Sequence, residues 1–144
     1  MKNILACLFT FATLVVYGQT SFTTSNLPIV VINTNGANIP NEPKISAQMK
    51  IIFNGQGKRN NLSDTIYNYN GPVGIELRGN SSLSFNQKQY TFETRDNKGE
   101  NLNVSPLGLP AENDWVLNAP YNDVSMLRNV LAYNLWNTMG YWAP

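Results

Sequence analysis

Residues 74–82 read GIELRGNSS and residues 88–96 read KQYTFETRD. Both stretches alternate apolar and polar side chains, the period of a half-buried strand. The first, taken from Pro72 to Gly79, sends Val73, Ile75 and Leu77 to one side, with Glu76 and Arg78 opposite. The second sends Lys88, Tyr90, Phe92 and Thr94 one way and Gln89, Thr91, Glu93 and Arg95 the other. Small residues join the two runs, so a hairpin follows. Its tip has two readings. Gly79 lets a backbone approach a phosphate, Ser81, Ser82 and Ser84 offer hydroxyls, and Lys88 heads the second strand. Yet the tip is neither G-x-G-x-x-G nor G-x-x-x-x-G-K-[ST]. A plain polar hairpin with a solvated Lys88 accounts for the same residues, and spacing leaves both readings open.

Other strands lie on either side. LPIVVINT, Leu27 to Thr34, is a short β-branched run that predicts a buried strand, and the Asn-, Gly- and Pro-rich NGANIPNEP after it predicts a loop. KISAQMKIIFNG, Lys44 to Gly55, places Ile45, Ala47, Met49, Ile51 and Phe53 on one face and ends at the turn dipeptide Asn54-Gly55. The polar loop after it carries Lys58 and Arg59 as solvated charges. Asp96 to Gly99 makes a turn. The segment VSPLGLPAENDWVLNAPYND carries three prolines and reads as ordered but irregular, with a short strand at Trp115 to Leu117. A helix is predicted from Val124 to Met139, capped by Asp123 or Ser125 and stopped at Gly140. Its stripe is Leu127, Val130, Leu131, Asn134, Leu135 and Met139. Four or five strands followed by one helix predict an α+β domain, a mostly antiparallel sheet with the helix packed on one face.

Composition narrows the chemistry. With 144 residues the chain suits one domain. MKN followed by the apolar residues 4–17 has the form of a signal peptide, with cleavage expected after Gly18 or Gln19, so residues 1–19 form the leader and 20–144 the domain. Export makes the protein secreted or cell-surface, with no membrane attachment after cleavage. The single cysteine, Cys7, falls inside that leader, which leaves the mature chain no disulfide and no thiol nucleophile. Histidine is absent, which excludes Ser-His-Asp triads and H-E-x-x-H zinc sites. A net charge of +1 gives no bulk attraction to nucleic acid or anionic membrane. Three Asn-x-Ser matches, NLS, NSS and NVS, are what chance gives in an Asn-rich chain.

Two other positions have double readings. Arg128 on the helix is a solvated charge, or pairs with a carboxylate near the hairpin. Asp114 beside Trp115 is a turn acceptor next to a core aromatic, or a ribose or hinge feature; Glu112 and Asp114 give no ground for a glycosidase pair or a metal site.

Taken in order, LPIVVINTNG, VGIELRGNSS, QKQYTFETRD, NDWVLNAPYND and MLRNVLAYNLWNTMGYWAP resemble the spore-coat protein H (CotH) kinase family, particularly its secreted Bacteroidetes-type members. The likeness runs from about Leu27 to Pro144. It implies a secreted atypical protein kinase with a β-rich N-terminal lobe that uses ATP with Mg²⁺ or Mn²⁺ to phosphorylate protein. Arg78, Gly79, Ser81 and Ser82 match the family's Arg-Gly-x-Ser-Ser pattern as the phosphate-facing turn. Lys88 matches the second position of its Lys-Lys pair as the nucleotide lysine, while Gln87 stands at the first. Asp114-Trp115 and Leu127 to Asn129 match as supporting scaffold, which includes Arg128. In the family the catalytic and metal-binding acids come later than Pro144. The resemblance therefore implies an N-terminal fragment without a catalytic residue, inactive alone, whose partner is the C-terminal lobe of the same protein. Apolar surface around Trp136 and Trp142 is expected to be exposed. Two other readings are a non-catalytic coat or adhesion module and a glycan-binding β domain.

Overall fold

The computed structural model describes residues 21–141 and residue 143. The expected leader, with Cys7, and Trp142 lie outside the described residues. No helix among the described residues is long and apolar enough to cross a membrane.

Among the described residues seven strands form: β1 (Thr24–Ser25), β2 (Ile29–Asn33), β3 (Ile45–Ile52), β4 (Asn60–Asn61), β5 (Tyr69–Arg78), β6 (Gln89–Thr94) and β7 (Asp114–Leu117). Five of them make an antiparallel sheet in the order β2-β3-β5-β6-β7, and β1 pairs with β4 apart from it. The four strands expected around the hairpin and the short one at Trp115 are all present. The β1–β4 pair is an addition. It hangs on Asn60, which is fully buried: its Oδ1 accepts from the Asn54 N–H at 2.7 Å and its Nδ2 donates to the Leu27 carbonyl at 2.8 Å.

Register sorts side chains onto two faces, because directly opposed residues project the same way. Ala47 opposes Val73, Ile45 opposes Ile75, and Ile75 opposes Phe92. These join Met49 and Ile51 in one core in which Ile75 is 0% and Met49 1% exposed. Burying such side chains contributes roughly 1.5–3 kcal/mol each. Thr94 falls on the same face and is also buried, but its hydroxyl donates to the Leu102 carbonyl at 2.7 Å. The long β6–β7 connection is thereby tied to the sheet, and the Leu107 N–H bonds to Asn68 Oδ1 at 2.7 Å just before β5.

Helix α1 spans Arg128–Thr138, shorter than expected. The start moves because the Asp123 carboxylate takes the Arg128 N–H at 2.9 Å and the Ser125 N–H and hydroxyl at 3.1 and 2.6 Å. Residues 124–127 therefore form a turn, with Met126 at φ +55°. The far end closes as a Schellman motif. Gly140, at φ +88°, donates to the Asn137 carbonyl and Tyr141 to that of Trp136, while the Tyr141 and Trp136 rings stack at 4.5 Å.

The α+β class is as expected. Packing of the helix is not: α1 buries none of its residues, and Leu131 is 71% exposed. Its sequence RNVLAYNLWNT sets apolar residues around most of the circumference with one charge, so no single face is defined for the sheet to receive.

Candidate functional site

The tip of the β5–β6 hairpin is a built turn. β5 ends at Arg78, Gly79 turns at φ +121°, and Ser81–Ser84 make a short 3-10 helix. A Cβ at residue 79 would lie 1.9 Å from Ser82 Oγ, so only glycine fits there. Ser84 Oγ donates to the Ser81 carbonyl at 2.8 Å. Lys88 Nζ donates to the Leu83 carbonyl at 2.6 Å, so the ammonium braces the turn from below. Phe85 stacks on Tyr121 at 4.9 Å, which joins the tip to the segment leading into α1.

The two cations of the tip stand on opposite faces. Arg78 opposes Gln89, whereas Leu77 opposes Tyr90 on the other face, the face Lys88 shares. Lys88 opens on a cleft of about 600 Å³ with Ile32, Ile39, Leu77 and Tyr90. Arg78 opens on one of about 630 Å³ between β7 and α1, with Asp114, Trp115, Val116, Asn129 and Tyr133. Asp114 thus joins Arg78, and so does Tyr133 from the helix, while Lys88 does not. The Trp115 indole N–H is buried with no hydrogen-bond partner among the described residues. Arg128 instead reaches Asp123, at 3.5 Å, with its side chain 80% exposed. That carboxyl is held below the usual range by the Ser125 hydroxyl first and the Arg128 N–H second.

The polar face carries a charge network that the alternation alone did not single out. Lys44, just ahead of β3, pairs with Glu93 and lies 3.7 Å from Glu76. Arg95 bonds the other oxygen of Glu93 at 3.1 Å. The Arg95 guanidinium lies flat over Gly74, where a Cβ would come within 2.3 Å of Nη2. The Lys44 hydrogen bond is the main cause of a lowered Glu93 pKa, and the same bond raises that of Lys44. The network clamps β3, β5 and β6 together directly behind the tip. Among the described residues no group of three or more His, Cys, Asp or Glu gathers as a metal site.

Comparison with known proteins adds one finding. Residues 75–144 match the family model for CotH kinase protein. No curated protein and no solved structure matches the chain. The CotH match begins at Ile75, inside β5, and takes in the tip, β6, β7 and α1. Arg78, Gly79, Ser81, Ser82 and Lys88 all lie within it; Lys44 lies outside.

Proposed function

We propose that this chain carries the nucleotide-facing part of a secreted kinase of the CotH type, one that transfers a phosphoryl group from ATP to protein. The CotH match carries the reading, since it covers the whole tip and both of its cations. Phosphoryl transfer rests on positioning and on charge placed at the phosphate oxygens. In this reading Gly79 brings the backbone close to the phosphates, and Ser81 and Ser82 supply hydroxyls. Lys88 exchanges its Leu83 carbonyl for a phosphate oxygen. Among the described residues no three His, Cys, Asp or Glu side chains gather as a metal site. The reading is of binding and orientation. The leader-like residues 1–19 support action outside the cytoplasm.

Isothermal calorimetry with ATP and Mg²⁺ tests this. Saturable binding is expected, weakened about tenfold or more by Lys88→Ala, as for loss of a charge-assisted bond. A folded chain that gives no ATP-dependent heat overturns the reading and favours a non-catalytic coat or adhesion module.

A further inference from the structure

The two clefts beside the hairpin tip differ in what they can hold. The Arg78 cleft also carries Glu112 and Asp114, so carboxylates outnumber its cation. In the Lys88 cleft the ammonium is the one charge among the lining residues, and the rest of the lining is apolar or uncharged. Leu77 and Tyr90 come from the hairpin, where they oppose each other. Ile32 lies in β2, and Ala37, Asn38 and Ile39 follow it in the segment that crosses to β3. This second wall is a built turn. The Thr34 hydroxyl donates to the Ala37 carbonyl at 2.7 Å, and the Ala37 N–H donates to the Thr34 carbonyl at 3.1 Å. Between them Asn35 and Gly36 sit at φ +54° and +84°. The Leu77 N–H then donates to the Pro40 carbonyl at 2.7 Å, which fastens the segment to the end of β5. At about 600 Å³ the cleft falls within the usual span of small-molecule sites, roughly 300–1,000 Å³.

We propose that the Lys88 cleft takes the nucleobase of the triphosphate, with one wall supplied by residues 32–39, outside the CotH match. The inference rests on the nucleotide reading of the tip and adds where the base goes. Lys88 and Tyr90 are two residues apart on one face of the hairpin, about 7 Å along the chain. A phosphate at the ammonium therefore leaves the rest of the nucleotide either over Tyr90 and Leu77 or out in solvent. The lining favours the first. A base is planar, aromatic and uncharged, and Tyr90 offers it a ring while Ile32, Ile39 and Leu77 offer apolar contact. Ile32, Ile39 and Tyr90 also pack against the core, so these walls are fixed before a ligand arrives. Asn38 brings an amide, donor and acceptor at once, for the edge of the base. A bare polyphosphate would use Lys88 alone and make nothing of the apolar walls. The cleft across the tip, with its excess of carboxylates, disfavours the phosphates that accompany a base.

Calorimetric titration of the full chain with ATP and with inorganic tripolyphosphate, each with Mg²⁺, tests this. ATP is expected to bind about tenfold or more tighter than tripolyphosphate. Ala37→Trp fills the cleft from an exposed position and is expected to bring ATP down to the tripolyphosphate level, with tripolyphosphate unchanged. Tyr90→Leu keeps an apolar side chain but removes the ring, and is expected to weaken ATP and not tripolyphosphate. A melting midpoint near the parent's shows that each variant is folded. Equal affinity of the parent for ATP and tripolyphosphate overturns the proposal and leaves the phosphate-holding tip standing. An ATP preference that survives Ala37→Trp overturns it too, and loss of that preference in Trp115→Leu would then place the base in the cleft across the tip. Should Ala37→Trp not fold, Tyr90→Leu decides, and unchanged ATP binding there overturns the proposal. Binding of neither ligand by the parent overturns the phosphate-holding tip as well.

Discussion

The sheet and the helix answer to different rules. In the sheet, the apolar residues of the alternating runs that lie within β3, β5 and β6 meet partners across the ladder, and Met49, Val73, Ile75 and Phe92 are buried. In α1 the apolar content is similar in kind, the turns at both ends are well made, and yet nothing is buried. Good local chemistry therefore specifies the helix without placing it. The sheet contains its own core; the helix presents apolar surface to solvent.

Substitutions at four positions test this contrast. Ile75→Ala removes a fully buried side chain at the centre of three strands and is expected to cost about 2–5 kcal/mol, read as a fall in the thermal midpoint. A loss under about 1 kcal/mol would mean that the sheet is looser than its burial indicates. Gly79→Ala forces φ +121° on a residue with a Cβ and displaces Ser82 Oγ; about 1–3 kcal/mol is expected, with altered exchange confined to the tip. Glu93→Gln weakens the Lys44–Glu93–Arg95 network by about 1 kcal/mol, since the side chains keep some solvent contact.

The same network has a pH signature. Glu93 titrates below its ordinary range, so its contribution is complete above that range and is lost as pH falls through the depressed value. Lys44 titrates above its ordinary range, so its contribution is complete below that range and is lost as pH rises through the raised value. Denaturation midpoints at acidic pH should therefore converge for the parent and Glu93→Gln. Midpoints that stay separated there would show that the ion pair is not the source of the difference. The smallest effect is expected at Leu131→Ser, within about 0.5 kcal/mol, because that side chain is exposed. A loss of about 2 kcal/mol or more by denaturant titration would show that α1 is packed after all.

Much of this was legible in the sequence, for physical reasons that also mark where reading stops. A period of two reports a face directly, which is why β3, β5 and β6 were readable to within a few residues. Two-residue strands such as β1 and β4 have no period, and their anchor, Asn60, looks like any loop asparagine. The Lys44–Glu93 contact joins residues 49 apart, which no local pattern reaches, although Glu76 and Glu93 on the polar side of adjacent strands were a usable hint. Asp123 was readable as an acceptor ahead of the helix, but the cap it was expected to make at Val124 does not form: the N-cap is Leu127, with no side-chain cap, and the Asp123 carboxylate instead takes the Arg128 N–H. Arg78 and Lys88 looked like flanking cations of one site because they bracket one turn in sequence. The pairing of Leu77 with Tyr90 puts them on opposite faces. The place of β7 at one edge of the sheet is a matter of strand order, and order is invisible to alternation.

Amide hydrogen exchange with and without ATP and Mg²⁺ tests most directly whether the hairpin tip is a phosphate-holding turn. If it is, ATP slows exchange at residues 79–84, and Lys88→Ala removes this protection. Unchanged exchange at the tip, or protection confined to other parts of the chain, would contradict a phosphate-holding role.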